Sequence, residues 1–293
     1  VTSVSYPFAV KFFLRNGLRQ HYLDEGQGEA VVMVHGNPTW SLYYRSLVLG
    51  LRGSHRVIVP DHIGMGLSDK PGDSRYSYRL RSRVDDLEAL LDSVAPGQRV
   101  TLVLHDWGGM IGLGWAARRP SLVRRIVLLN TAAFHLPEHM HLPIALRVVR
   151  VTPVGAVLVR GFNAFSRTAA RVCCTRKPLS PALRDAYCAP YDSWANRIAT
   201  LRFVQDIPLQ PSHPSYALVS SIAASLPQFS KTPVLICWGD RDFVFTPGVL
   251  REWVERWPQA QVHRFADCGH YLLEDAPAEI EALVREFLGR DAA

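Results

Sequence analysis

No G-x-S-x-G occurs anywhere in the 293 residues, no uninterrupted apolar run reaches the roughly 18 residues that span a bilayer, and no cysteines sit at metal-ligand spacing. The first absence removes the serine nucleophile of ordinary esterases and lipases. The second argues against a membrane span. The third, with an odd total of five cysteines (Cys173, Cys174, Cys188, Cys237, Cys268), suits reduced thiols in a reducing compartment. Lysine is scarce as well, with Lys11, Lys70, Lys177 and Lys231 the only four among 33 basic residues. The net charge is +7, and the arginines read as scattered rather than gathered into the patch or stripe that nucleic acid requires. A solvated basic surface is the expectation, weak attraction to anionic lipid or to acidic proteins being the other reading. The opening VTSVSYPFAVKFF has no charged segment leading into an apolar core and a small-residue cleavage site, so the expected compartment is the cytoplasm.

With 48% hydrophobic and 20% charged residues, the chain can bury a large core as one enlarged domain or a domain with an insertion. Apolar runs at 30–35, 55–60, 99–105, 125–130, 233–239 and 260–265 predict strands buried on both faces. Helix-length segments fall at 41–52, 81–94, 107–119, 248–257 and 274–289, the last opening near Glu274 and Asp275. This alternation predicts a parallel α/β sheet with helices on both sides. Alternating segments at 10–15 and 18–23 predict an antiparallel edge hairpin. Between 132 and 228 proline, arginine and aromatic residues replace the valine-rich runs, which reads as a helical cap dividing the core into 1–131 and 229–293.

In an open α/β sheet the reactive groups collect on loops at the carboxyl ends of the strands. Four such loops carry unusual residues: HGNP from His35, DHIGMGLS from Asp61, DWGG from Asp106 and GDRD from Gly239, while His270 follows the last strand. Asp106 lies between a strand and a helix, with Gly108 two residues later to permit a sharp turn, the setting of a nucleophile elbow. The competing reading is a helix N-cap, a role aspartate fills well. The order nucleophile, acid, histidine favours the nucleophile. An ionised carboxylate attacks an electrophilic carbon without first losing a proton, His270 is then the base, and Asp242 holds its tautomer. Asp240 competes for the acid role, but Asp242 stands three residues after Gly239, the spacing expected in this fold. Asn37 offers an amide and Trp107 an indole N–H to a developing anion, the plainer readings being a turn residue and packing.

The stretches HGNPTWS from His35, Asp61-x-x-Gly64-x-Gly66-x-Ser68, HDWGG from His105 and Gly269-His270 resemble the haloalkane dehalogenase family of α/β-hydrolases. The resemblance covers nearly the whole chain. It implies an Asp106 nucleophile, a His270 base, and halide-type donors at Asn37 and Trp107. Some members place the acid after the sixth strand, where this chain has Asn130, so Asp242 is preferred. Within that neighbourhood, PYDSWANRIATLRFVQDIPL (190–209) and WGDRDFVF (238–245) are similar to the β-lactone decarboxylases of bacterial long-chain olefin biosynthesis. That similarity implies decarboxylation of cis-β-lactones, with haloalkane hydrolysis as the alternative. It also implies a hydrophobic small-molecule substrate, other olefin-pathway enzymes as partners in a large assembly, and no cofactor.

A long acyl chain needs an apolar wall, for which Phe162, Phe165, Tyr187, Tyr191, Trp194 and Phe203 are the cap candidates, although core packing would explain any one of them. Tyr187 with Tyr191 also keeps an epoxide hydrolase reading open, against which Asn37 argues. His135, His139 and His141 lack acidic or cysteine partners and are expected to be a solvated loop, not a metal site. The loop from Asp61 to Ser68 reads as structural, its glycines permitting a tight turn. A non-catalytic ligand-binding relative is the remaining alternative, and an intact Asp106, Asp242, His270 set argues against it.

Overall fold

The computed structural model describes residues 4–137 and 142–290. Eight strands, β1 (Lys11–Arg15), β2 (Leu18–Glu25), β3 (Ala30–Val34), β4 (Arg56–Pro60), β5 (Val100–Asp106), β6 (Val123–Thr131), β7 (Val234–Gly239) and β8 (Gln261–Phe265), form one sheet. Their order is β1-β2-β4-β3-β5-β6-β7-β8. Strands β3 to β8 are mutually parallel, while β1 and β2 form the expected antiparallel hairpin at one edge. Asn16 and Gly17, both at positive φ, turn that hairpin.

The continuous apolar runs follow from the two-sided burial of the sheet. Along β3, Val32 and Val34 face one hydrophobic core, and Val31 and Met33 face the other. Each such residue contributes about 1.5–3 kcal/mol by leaving water. Strand β8 departs from the expectation: it is an edge strand, and its residues alternate between half-buried and exposed.

Helices α1 (Arg45–Leu51), α2 (Leu80–Val94) and α3 (Trp107–Arg118) flank the first five strands. Between β6 and β7 lie α4 (Ile144–Val151), α5 (Pro153–Phe162), α6 (Ala164–Val172), α7 (Pro181–Cys188), α8 (Ile198–Gln205) and α9 (Tyr216–Ser225). The chain ends with α10 (Pro247–Arg256), α11 (Leu272–Asp275) and α12 (Pro277–Gly289). Helix α9 packs against α3, with Ile222 close to Gly114. The last helix was expected to open near Glu274, but the chain breaks at Ala276 (φ −134°) and α12 begins at Pro277. Glu274 and Asp275 are buried instead. Glu274 takes Arg45 and the Tyr187 hydroxyl, and Asp275 accepts from the backbone N–H groups of Thr175, Arg176 and Gly269. Among the described residues no helix is long and apolar enough to cross a membrane.

Candidate active site

Strand β5 delivers Asp106 to the carboxyl edge of the sheet in a backbone conformation of φ 52°, ψ −125°. Such a torsion costs a non-glycine residue about 1–3 kcal/mol. It is held by hydrogen bonds: Asn37 N–H donates to Asp106 Oδ1 at 2.7 Å, Trp107 N–H also donates to the carboxylate, and the Thr131 hydroxyl donates to the Asp106 carbonyl. Bonds to a charged acceptor are worth about 1.5–3 kcal/mol each, enough to offset the strain. The turn therefore differs from the expectation in one respect, since Asp106 itself carries the positive φ. Gly108 is required for a different reason. A Cβ there would overlap the Val34 carbonyl, and one on Gly36 would overlap the Asp106 carboxylate.

His270 Nε2 stands 3.6 Å from Asp106 Oδ2, and His270 Nδ1 donates to Asp242 Oδ2 at 2.7 Å. The first separation is too long for a hydrogen bond and leaves Nε2 open to the space above the carboxylate. The other Asp242 oxygen accepts from Val244 N–H at 2.7 Å and Phe245 N–H at 3.0 Å. Asp240 points away and pairs with Arg264 at 3.0 Å on the surface. Asn130, the position weighed against Asp242 in the sequence, clamps Gly239 through both its amide atoms, at 2.8 and 3.0 Å. It thereby fixes the loop that carries Asp242.

Burial raises the Asp106 pKa above the ordinary carboxylate value, against the pull of His270 and the two backbone donors. Burial would depress His270, but the charge and hydrogen bond of Asp242, with Asp106 behind them, outweigh it and raise the pKa. His105 is held well below its usual value by burial and by the nearby His270. Its Nε2 bonds the His270 carbonyl at 2.9 Å, and a carbonyl only accepts, so the proton sits on Nε2. Asp61 is fully buried and anchors its loop: it takes Ser41 N–H, Leu67 N–H and His21 Nδ1. Burial alone would raise its pKa, yet His21 and His35 hold it at about 2.

Above these groups lies a cavity of about 400 Å³. Asn37, Asp106, Trp107 and His270 form its polar floor, and aliphatic side chains of α4, α5 and α6 form part of its wall, which Phe243 and Phe245 complete from the Asp242 loop. Asn37 donates one amide hydrogen to Thr200 O at 3.0 Å, which leaves the second for a ligand. The Trp107 ring is steadied edge-on by Phe203, at 5.4 Å between centroids.

A family model described as the alpha/beta hydrolase fold matches residues 29–277. This chain belongs to the α/β-hydrolase fold family. It is 61% identical, over 96% of its length and 89% of the relative's, to the cis-3-alkyl-4-alkyloxetan-2-one decarboxylase of Shewanella oneidensis. To the protein of the same name from Xanthomonas campestris it is 46% identical, over 99% of both chains. Haloalkane dehalogenase 2 of Mycobacterium tuberculosis is 30% identical over 97% of this chain and 96% of its own. Among solved structures, haloalkane dehalogenase DbeA from Bradyrhizobium elkani superposes with a TM-score of 0.84 at 26% identity, covering 96% of this chain and 98% of that one.

Of the six aromatic residues expected to line the pocket of this α/β-hydrolase, Phe165 does so. The other five are placed elsewhere. Tyr187 is drawn to buried Glu274, and the Tyr191 hydroxyl lies 3.4 Å from Thr39 O. Neither hydroxyl reaches the cavity, so the pair that favoured an epoxide hydrolase is not available to polarise a ring oxygen there. Phe203 lies beneath Trp107, with the Arg83 guanidinium 3.6 Å over its ring. Phe162 and Trp194 are exposed at the surface of the segment between β6 and β7. Of the three histidines, His135 stacks on Tyr216 at 3.9 Å, and His139 and His141 lie outside the described residues.

Sequence reasoning missed the true wall, in which Leu146, Val149, Leu158 and Val159 take part, and the buried thiol of Cys173 beside it. The signal was present in the aliphatic composition of IALRVVRV and PVGAVLVRGF, helices whose apolar residues outnumber what one core-facing stripe needs.

Proposed function

We propose that the protein is a β-lactone decarboxylase, converting cis-3-alkyl-4-alkyloxetan-2-ones to cis-alkenes and carbon dioxide in long-chain olefin biosynthesis. The observation that carries this reading is the 61% identity, over 96% of the chain, to a protein named for that reaction. The apolar cavity and its polar floor supply surroundings suited to it: two alkyl chains against carbon, and a reactive ring against Asp106. In this reading residues 132–228 act as the cap over a core made of 1–131 and 229–293.

Asp106 is the nucleophile. Attack of its oxygen on ring carbon C4 breaks the C4–O bond, relieves the four-membered ring and leaves a carboxylate on C3. Asn37 and Trp107 steady that carboxylate, whose charge develops only as the ring opens. The C3–carboxyl electron pair then forms the double bond, the C4–Asp106 bond breaks, carbon dioxide leaves and the carboxylate is regenerated. Attack from the face opposite the ring oxygen followed by anti elimination keeps the two alkyl groups cis. No water or proton is consumed. His270, held by Asp242, balances charge beside Asp106, and the apolar wall keeps water from the ester.

The dehalogenase relatives support a second reading with the same residues. There the donors hold halide, and neutral His270 activates water against the alkyl ester of Asp106. The compartment we assign is the cytoplasm, in keeping with five thiols and no assigned disulfide, and the partners are other enzymes of the olefin pathway in a large assembly. One assay separates the two reactions: purified protein receives a long-chain cis-β-lactone and, in parallel, a 1-bromoalkane. Alkene from the lactone is expected, and fast bromide release without alkene overturns the choice.

A further inference from the structure

The cap carries an apolar surface where a helical hairpin would ordinarily present polar residues. On α4, Ile144 and Val151 are 78% and 68% exposed, and on α5, Val154 and Phe162 are 62% and 65% exposed. The spacing of Val154, Val157, Leu158 and Phe162 places them along one side of α5, and α5 packs directly against α4, so the exposed residues adjoin across both helices. Single exposed apolar residues need no explanation, but a contiguous patch marks an interaction surface.

Charge and continuity say what covers it. From 142 to 184 the chain has eight basic residues and no acidic one, while the remainder has 25 basic against 26 acidic. The excess charge of the protein is therefore gathered on the cap, contrary to the scattered distribution expected from the sequence read as a whole. Of the eight, Arg176 is ion-paired, and among the described residues the other seven have no carboxylate partner. On α6, Arg167 and Arg171 form a basic row beside Thr168 and Val172. Thr168 and Val172, with Val148 and Leu158, are both exposed and part of the cavity wall, so the apolar surface runs into the mouth of the cavity. A second copy of this chain fits poorly, because a two-fold contact would press two like-charged faces together.

We propose that the α4–α5 face, flanked by the arginines of α4 and α6, docks on an anionic lipid surface and opens the cavity toward the acyl layer. Its apolar side chains enter the headgroup boundary, and the arginines meet lipid phosphates. A hydrophobic substrate dissolved in the lipid then reaches Asp106 without crossing water. The docking does not depend on which reaction the site performs.

Flotation of the full chain with vesicles tests this without turnover. Binding is expected to vesicles of phosphatidylcholine mixed with phosphatidylglycerol, to fall with added salt, and to be much weaker for phosphatidylcholine alone. Neutralising Arg147→Gln with Arg171→Gln should lower the affinity by roughly 30-fold, the effect of two basic contacts to an anionic surface. Val154→Asp with Val157→Asp, neither of which lines the cavity, should lower it by roughly tenfold or more. Activity on a short, water-soluble substrate of the same class should be unchanged in both variants, which shows that they fold. No binding to the anionic vesicles, or binding that both variants retain, overturns the proposal. So does a self-association in ultracentrifugation that Val154→Asp with Val157→Asp abolishes while vesicle binding is absent, since the face is then a contact between proteins.

Discussion

At the floor of the cavity Asp106, His270 and Asn37 each make a directional hydrogen bond, whereas the wall presents apolar side chains such as Val149, Leu158 and Val159. Asp106 is aimed by backbone donors, His270 by Asp242, and Asp242 in turn by two N–H groups of its own loop. Each of those bonds has a direction, so the floor has one arrangement. The wall is set by volume, and many apolar sequences would fill it. The floor is thus where one atom changes the chemistry, and the wall is where several atoms change only the preference for substrate.

The largest effect is expected at Asp106. Asp106→Ala removes the attacking oxygen and should lower turnover by on the order of 10⁴-fold or more, measured as alkene formed from a cis-β-lactone. Asp106→Asn should be equally inactive and should melt at a higher temperature at pH 7. Because burial raises the Asp106 pKa, the folded state favours the protonated carboxyl, and the ionised charge weakens folding above the ordinary carboxylate range. Asparagine removes the charge, tolerates positive φ and keeps an acceptor for Asn37 N–H. A lower melting temperature for Asp106→Asn would mean that the floor is built for stability and not against it.

Next come the two aspartates of the GDRD loop. Asp242→Asn leaves His270 in place without its anchor, for an expected loss on the order of 10²–10⁴ in kcat. Asp240→Asn breaks an exposed pair with Arg264 and should change neither rate nor stability beyond about 0.5 kcal/mol. If the two variants behave alike, the acid has been assigned to the wrong aspartate. The donors follow: Asn37→Ala and Trp107→Phe should each lower the single-turnover rate by on the order of 10²–10³, with a smaller change in substrate affinity.

The pH dependence sharpens the comparison within the floor. His270 is raised above 6.5 in the folded protein, so its pairing with Asp242 contributes fully to stability below that value and is lost as pH rises through the folded pKa. The melting difference between the wild type and His270→Gln should shrink accordingly on going alkaline. Lactone turnover should decline over the same range, because the imidazolium balances the carboxylates. Bromide release, if any is found, should climb instead, because only neutral His270 can take a proton from water. A lactone rate that climbs with pH would make His270 a base and exclude attack at C4 without proton transfer.

What could be read from the chain follows the same division. The elbow was legible because its parts are local: an apolar strand, Asp106 and two glycines fall within a few residues. The order of Asp106, Asp242 and His270 was legible because strand connections fix which loops share an edge of the sheet. The wall was not, because which side of a helix between β6 and β7 faces the cavity depends on helix packing rather than on pattern. Tyr187 shows the reason: its hydroxyl goes to Glu274, 87 residues away, and nothing local announces that partner. Phe203 likewise packs edge-on against Trp107 and under the guanidinium of Arg83 from α2, more than 100 residues away in the chain. The clustering of charge was legible in principle, but a count over the whole chain conceals a segment with no acidic residue.

The smallest effect belongs to the wall. Val159 is buried, lines the cavity and has no polar partner to lose, so Val159→Ala removes two methyl groups and nothing else. The protein should lose about 1–2 kcal/mol of stability, the transfer and cavity cost of that deletion. Turnover of the preferred lactone should fall only several-fold, since each buried CH₂-sized contact is worth about 0.8 kcal/mol. The added space should be taken up by a longer or branched alkyl chain, so the ranking of kcat/KM across a homologous series of lactones should shift toward the bulkier members. If Val159→Ala instead lowers kcat for every chain length by as much as Asn37→Ala does, the wall helps to aim the substrate at Asp106, and the division between a directional floor and an adaptable wall does not hold.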